Sequence, residues 1–193
     1  MIDKDEVKET IVNEAGHIFS KFGFRKTTMD EIARANSKGK SSIYYYFASK
    51  EKIFQAVVEK EASILNQELL KANTNAESPA QKLKMHVIVR MHAVEKLANY
   101  YSVIKDKYLN HLDFIDKIRK KSDQEEIQMM ENILKEGVKN GIFEIDDTSL
   151  AAIAIVTALK GLEVPLFWGK EDKDIERRLD NLIQILFNGV MKR

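Results

Sequence analysis

Apolar residues recur at intervals of three and four along most of the chain, the period of an amphipathic helix. Val7, Ile11, Ala15, Ile18, Phe19 and Phe22 form one such stripe and predict a first helix over residues 4–22. Gly23 stands where a helix end needs a left-handed residue. Thr28, with Glu31 three residues on, reads as a capping box for a second helix that buries Met29, Ile32, Ala33 and Ala35. A turn follows over residues 36–39, with Gly39 as its expected left-handed residue, and then a short helix over residues 40–47. Ser49 caps a long helix carrying Ile53, Phe54, Val57, Val58, Ala62, Ile64, Leu65, Leu69 and Leu70.

The polar stretch from Asn73 ends at Ser78-Pro79, a strong helix start. Leu83, Val87, Val89, Met91, Val94 and Leu97 mark the helix after it. Residues 100–111 suggest one further helix or two shorter pieces, and Asp113 opens another that ends at Asn140-Gly141. Asp147 caps a helix over residues 150–162 that is apolar nearly all round and is expected to break near Pro165. Asp172 or Asp174 starts the last helix. The result is an all-α chain of about nine helices, in which an N-terminal three-helix helix-turn-helix domain (residues 1–50) precedes a helical bundle (residues 51–193).

Composition agrees with this. Two prolines and eight glycines leave little punctuation for strands, and 44% hydrophobic content suits a globular protein. Cysteine is absent, so disulfides and thiolate metal sites are excluded, and a reducing, cytoplasmic setting is expected. The charged start, Met1-Ile2-Asp3-Lys4-Asp5-Glu6, does not read as a secretory signal, and no apolar run is long enough to span a bilayer, so no membrane partner is expected.

Charge adds a functional hint. The whole chain carries only +1, but residues 21–52 hold eight cations (Lys21, Arg25, Lys26, Arg34, Lys38, Lys40, Lys50, Lys52) against three anions (Asp30, Glu31, Glu51). A local excess of +5 on an otherwise slightly acidic chain is the footprint of a phosphate-binding surface. Tyr44, Tyr45 and Tyr46 directly follow Lys40, Ser41 and Ser42, so hydroxyls and ammonium groups share one short helix. Helix N-termini at Thr28 and Ser49 add free N–H groups suited to anions. Lysine can also donate to guanine in the major groove, which makes Lys40 the leading candidate for reading a base edge.

Taken together, Phe19-Ser-Lys-Phe-Gly23, Thr27-Thr28, Glu31-Ile32-Ala33, Ile43-Tyr44-Tyr45-Tyr46-Phe47 and Ser49-Lys50-Glu51 resemble the TetR family of transcriptional regulators. The resemblance implies that Lys40, Ser41 and Ser42 enter the major groove of an operator, while Thr28, Tyr44, Tyr45, Tyr46 and Lys50 grip phosphates. One departure stands out: the family turn usually reads Ala-Gly-Val-Ser-x-Gly, and this chain has Asn36-Ser37-Lys38-Gly39-Lys40-Ser41.

The resemblance also implies a homodimer on a pseudo-palindrome, sealed by the last two helices, with Ile155, Leu159, Leu162, Leu179, Leu182, Ile183, Leu186 and Phe187 as candidate interface residues. A cavity for a small hydrophobic or amphipathic effector is expected among the middle helices, where Met85, Val89, His92, Tyr101, Tyr108, His111, Met129 and Ile133 mix pliable apolar groups with a few polar tips. No cofactor and no metal site is expected, since His17, His86, His92 and His111 lack ligand spacing. Without a nucleophile motif or convergent titratable groups, an enzyme is not expected. The competing reading is a helical adaptor whose basic end meets acidic partners.

Overall fold

The computed structural model describes residues 4–105 and 112–167, and beyond them Arg177, Asp180, Asn181, Ile183 to Ile185 and Asn188. It is all-α, with no strand among the described residues. Eight helices are bounded: α1 (Lys4–Phe22), α2 (Met29–Ala35), α3 (Lys40–Tyr46), α4 (Lys50–Asn75), α5 (Pro79–Lys96), α6 (Ala98–Lys105), α7 (Asp113–Lys139) and α8 (Thr148–Phe167). The described residues from Arg177 to Asn188 are helical too. The chain groups into two compact units: residues 1–63 with 97–118, and residues 64–96 with 119–193.

In the first unit, Ile11, Ala15, Ile32, Ile43 and Ile53 are fully enclosed. Beside them lies an aromatic cluster in which the Phe19 and Phe54 rings meet edge-on at 5.2 Å and Phe24 packs on Phe54 at 4.8 Å. Each of these apolar groups contributes about 1.5–3 kcal/mol on burial, far more than the propensities of helices only seven residues long. The short α6 is fixed here by a buried carboxylate. Glu61 of α4 accepts from the Tyr100 backbone N–H at 2.7 Å and from Asn99 Nδ2 at 2.6 Å, and Asn99 also donates to the Gly16 carbonyl at 3.0 Å. Burial pushes the Glu61 carboxyl up, and these hydrogen bonds offset only part of that.

α2 begins with the expected capping box: Thr28 Oγ1 accepts from the Glu31 N–H at 3.3 Å, and Glu31 Oε2 accepts from the Thr28 N–H at 2.7 Å. Its end differs from expectation. The left-handed residue is Ser37, at φ 53°, whereas Gly39 is extended at φ −72° and forms the N-cap of α3. The Lys38 N–H reaches the Ala33 carbonyl at 2.9 Å and the Ser37 N–H reaches Arg34 at 3.0 Å, the paired bonds of a Schellman motif. Helix length decides this: α2 ends at Ala35, so the position after the cap falls on Ser37, two residues before the glycine. The turn after α7 has the same bonds, Ile142 to Gly137 at 2.9 Å and Gly141 to Val138 at 3.0 Å, with Gly141 left-handed at φ 69°.

The second unit is built on Leu83, Val87, Met91, Met130, Ile133, Leu134, Phe143, Ala152, Val156 and Leu159. Gly137 allows Phe143 to close over α7, since a Cβ there would lie 2.0 Å from the ring. Asp147 caps α8 by accepting from the Ser149 and Leu150 N–H groups at 2.9 and 3.0 Å. The expected break near Pro165 does not occur, and α8 runs on to Phe167. A proline inside a helix costs one hydrogen bond, and among the described residues the helix continues through it.

A polar group crosses this apolar core. Arg90 Nε donates to Glu126 Oε1 at 2.5 Å, and His86 Nε2 lies 3.4 Å from the same oxygen, with all three side chains buried. His86 Nδ1 lies 3.5 Å from Asn73 Nδ2. Burial pushes the Glu126 carboxyl up, but the charge of Arg90 and the bonds from His86 and Arg90 outweigh it and hold the group below the usual carboxylate range.

Removing one partner of such a pair strands a buried charge. Glu126→Ala is expected to cost about 3–5 kcal/mol in urea unfolding, and Arg90→Met with Glu126→Leu together should cost less than either single change. A single-mutant loss below about 1 kcal/mol would count against the ion pair. Because the Glu126 pKa is depressed, its contribution is present above the ordinary glutamate range and declines as pH falls through the folded-state pKa. Ser37→Gly should raise the unfolding free energy measured in urea by about 1 kcal/mol or slightly less, since it relieves a left-handed serine while adding unfolded-state freedom, and Ser37→Val should lower it.

Candidate nucleic-acid interface

The seven residues of α3 divide cleanly. Ile43 is fully buried, Ser42 and Tyr46 are half-buried, and Lys40, Ser41, Tyr44 and Tyr45 are exposed. Tyr45 is 69% exposed and Tyr44 46%, unusual for tyrosines on a well-packed three-helix core. Tyr46 meets Tyr45 edge-on at 5.0 Å, and the Lys4 ammonium lies 4.8 Å from the centre of the Tyr45 ring. The Tyr45 ring thus contacts both a second ring and a cation.

Lys40 is tied to α2 through a 2.9 Å bond from its Nζ to Asp30 Oδ2, and both groups are about half-exposed. That bond, with Asp30's charge and then Tyr44, raises the lysine's pKa, so Lys40 is a firm cation. Thr28 stands exposed at the N-terminus of α2, its hydroxyl donating to Glu31 Oε2 at 2.9 Å. The bonds from Thr28 hold the Glu31 carboxyl below its ordinary range, so the cap carries a negative charge.

Lys50 sits differently. Its ammonium donates to the Phe24 and Thr27 carbonyls, both at 2.8 Å, and lies 4.3 Å from the centre of the Phe24 ring. It therefore pins the segment between α1 and α2 to the start of α4, and one of its three N–H groups remains beyond those two bonds. The family resemblance implies Lys50 as a phosphate ligand, and the sequence alone does not show the two main-chain carbonyls that it also holds.

In the second unit, Met85, Val89 and His92 line a cavity of about 450 Å³ together with Glu68, Lys71, Ala72, Asn75, Ala76, Gln81 and Lys96. Of the other candidate effector residues, Ile133 is buried in the core and Met129 is half-buried on α7. Tyr108, His111 and the Tyr101 side chain lie outside the described residues. Among the candidate dimer residues, Ile155, Leu159 and Ile183 are buried in the second unit's core, and Leu162 is half-buried beside it. Leu179, Leu182, Leu186 and Phe187 lie outside the described residues. The exposed face of α8 is instead made by Leu150, Ile153, Ala154, Thr157, Ala158 and Gly161. Sequence reading also missed Glu61, Asn99, Arg90 and Glu126, whose partners lie 36–39 positions away along the chain, as Glu126 does from Arg90 and Tyr100 from Glu61.

Two family models match the chain: bacterial regulatory proteins of the tetR family over residues 11–57, and the C-terminal region of QacR-like proteins over residues 93–192. The HTH-type transcriptional regulator QacR of Staphylococcus aureus is 22% identical over 96% of this chain and 99% of its own length. The HTH-type transcriptional repressor NicS of Pseudomonas putida is 30% identical over 58% of this chain and 46% of its own. In fold, the chain is similar to a transcriptional regulator from Saccharomonospora viridis solved in complex with choline, with a TM-score of 0.85 at 16% identity, covering 98% of this chain and 100% of that one. An exposed hydroxyl-and-lysine helix on a small buried core and family matches to both ends lead to one conclusion: the chain belongs to the TetR family and is a DNA-binding transcriptional regulator.

Proposed function

We propose that this regulator is a homodimeric repressor of the cytoplasm that seats one α3 in each of two successive major grooves of a pseudo-palindromic operator, and that a small amphipathic molecule bound by the second unit releases it. The observation that carries the reading is the division of α3: Ile43 anchors the helix, and Lys40, Ser41, Tyr44 and Tyr45 are left with no packing role that would explain their exposure. The similarity to NicS, named a repressor, supports the sign of the response, and the choline complex supports a small-molecule ligand.

In this reading Lys40 reads a base edge beside Ser41 and Ser42. The Asp30 carboxylate orients it in the free protein and gives it up to a guanine acceptor on binding. Tyr44, Tyr45 and Thr28 donate hydroxyls to phosphates, with Tyr46 steadying its neighbour. Lys50 works from behind, fixing the segment that presents Thr28 and offering its remaining N–H to the backbone of the duplex.

The exposed face of α8 is the proposed dimer seam. Leu150 and Ile153 are 65% and 44% exposed, and the small Ala154, Ala158 and Gly161 let a second helix approach closely. Ile155 and Leu159 support that face from the core side, and Leu179, Leu182, Leu186 and Phe187 are proposed to extend the seam along the last helix. Two-fold pairing fits half-sites about 34 Å apart, one turn of DNA. Met85, Val89 and His92 form the proposed effector wall, and α4, which runs through both units, carries the signal.

Fluorescence anisotropy with duplexes drawn from the chain's own upstream region tests the DNA reading. Lys40→Ala should relax preference at one base-pair position by about 1–3 kcal/mol, and an unchanged selection profile would remove Lys40 from the reading set. Lys50→Ala should weaken binding to every duplex and also lower the unfolding midpoint, because two carbonyls lose their donor. A loss of affinity with unchanged stability would make its role purely a phosphate contact. Ile153→Asp should give a folded monomer by sedimentation equilibrium with weakened operator binding, and a dimer that persists would move the seam elsewhere.

A further inference from the structure

The cavity between the C-terminal half of α4 and α5 has a definite chemistry. Its apolar lining is Ala72, Ala76, Met85 and Val89, and its polar groups are Lys71, Lys96, His92, Glu68, Asn75 and Gln81. Two cations, Lys71 of α4 and Lys96 of α5, therefore share an apolar-lined groove with one anion, Glu68 of α4. The lysines are not committed elsewhere: among the described residues neither Lys71 nor Lys96 has an ion pair or hydrogen bond within the protein. By contrast, Lys60, Lys82, Lys135 and Lys160 each have a carboxylate partner within 3 Å. The volume, about 450 Å³, lies within the span of about 300–1,000 Å³ usual for small-molecule sites.

Resting on the effector reading above, we propose that this groove binds a single-chain amphiphilic anion, with an aliphatic tail along Ala72, Met85 and Val89 and an acidic head between Lys71 and Lys96. The pairing follows from cost. A cationic head would face two lysines and find only Glu68, whereas an anion neutralises two unpaired ammonium groups and places its tail on groups that water solvates poorly. Met85 adapts to the tail because its side chain is unbranched and polarisable.

The test is calorimetric titration of the full chain with decanoate, decanol and decyltrimethylammonium, each below its micellar concentration. The expected result is saturable decanoate binding, at least about tenfold weaker for the other two and at least about tenfold weaker for Lys71→Gln with Lys96→Gln. Conservative Lys71→Arg with Lys96→Arg should retain binding, which separates charge from shape. Absence of saturable decanoate binding, equal binding of decanol, or tighter binding of the cation each overturns the proposal. Operator release is measured separately. Decanoate that binds without displacing DNA leaves this site standing and removes the release reading. DNA release by another molecule that is indifferent to the lysine changes does the reverse.

Discussion

A helix of seven residues has no stability of its own in water, so the reading surface exists only because tertiary packing holds α3 in place. Ile43 is the point of attachment. Fully enclosed, as Ile32 of α2 is, it fixes the roll of the helix, and that roll decides which side chains face out. The exposed α3 groups assigned to DNA, Lys40, Ser41, Tyr44 and Tyr45, lie on the arc that Ile43 leaves open. The Lys40–Asp30 bond and the Tyr45–Tyr46 contact then refine side-chain direction on a backbone already set.

The supports behind this face are polar and lie in places that apolar periodicity does not show. Lys50 takes two carbonyls of the segment before α2, and the Thr28–Glu31 box takes the first free N–H groups of α2. The second unit uses a different device, a buried Arg90–Glu126 pair with His86 alongside. A buried ion pair adds little net stability compared with apolar packing, but it penalises any arrangement of α5 against α7 that separates the charges. The pair therefore acts on register more than on total stability.

Much of this was legible in the sequence, because helix boundaries are written locally. Gly23, Thr28, Ser49, Pro79, Asp147 and Gly141 each mark an end through their own backbone chemistry, and the structure places a helix terminus at each. The reading failed where two local rules competed. Gly39 was the obvious left-handed residue by type, but helix length put that geometry on Ser37. Pro165 was the obvious breaker, but α8 continues through it to Phe167. On α8 an all-round apolar composition concealed which side faces inward, since Ile153 and Ile155 look alike until the core is assembled. Met85, Val89 and His92 were named for their mix of pliable apolar groups and polar tips, whereas Lys71 of α4 joins them in one groove only through a helix pairing that the sequence does not state.

The hydrogen bonds at the start of α6 bear on how the first unit assembles. An eight-residue helix normally relies on a cap from its own flank, and here the N–H of Tyr100 is met by a carboxylate delivered from α4. Until α4 docks, that end of α6 has only water as partner and the segment gains nothing from coiling. The last short helix of the unit is thus conditional: its formation records that a longer element has already found its place.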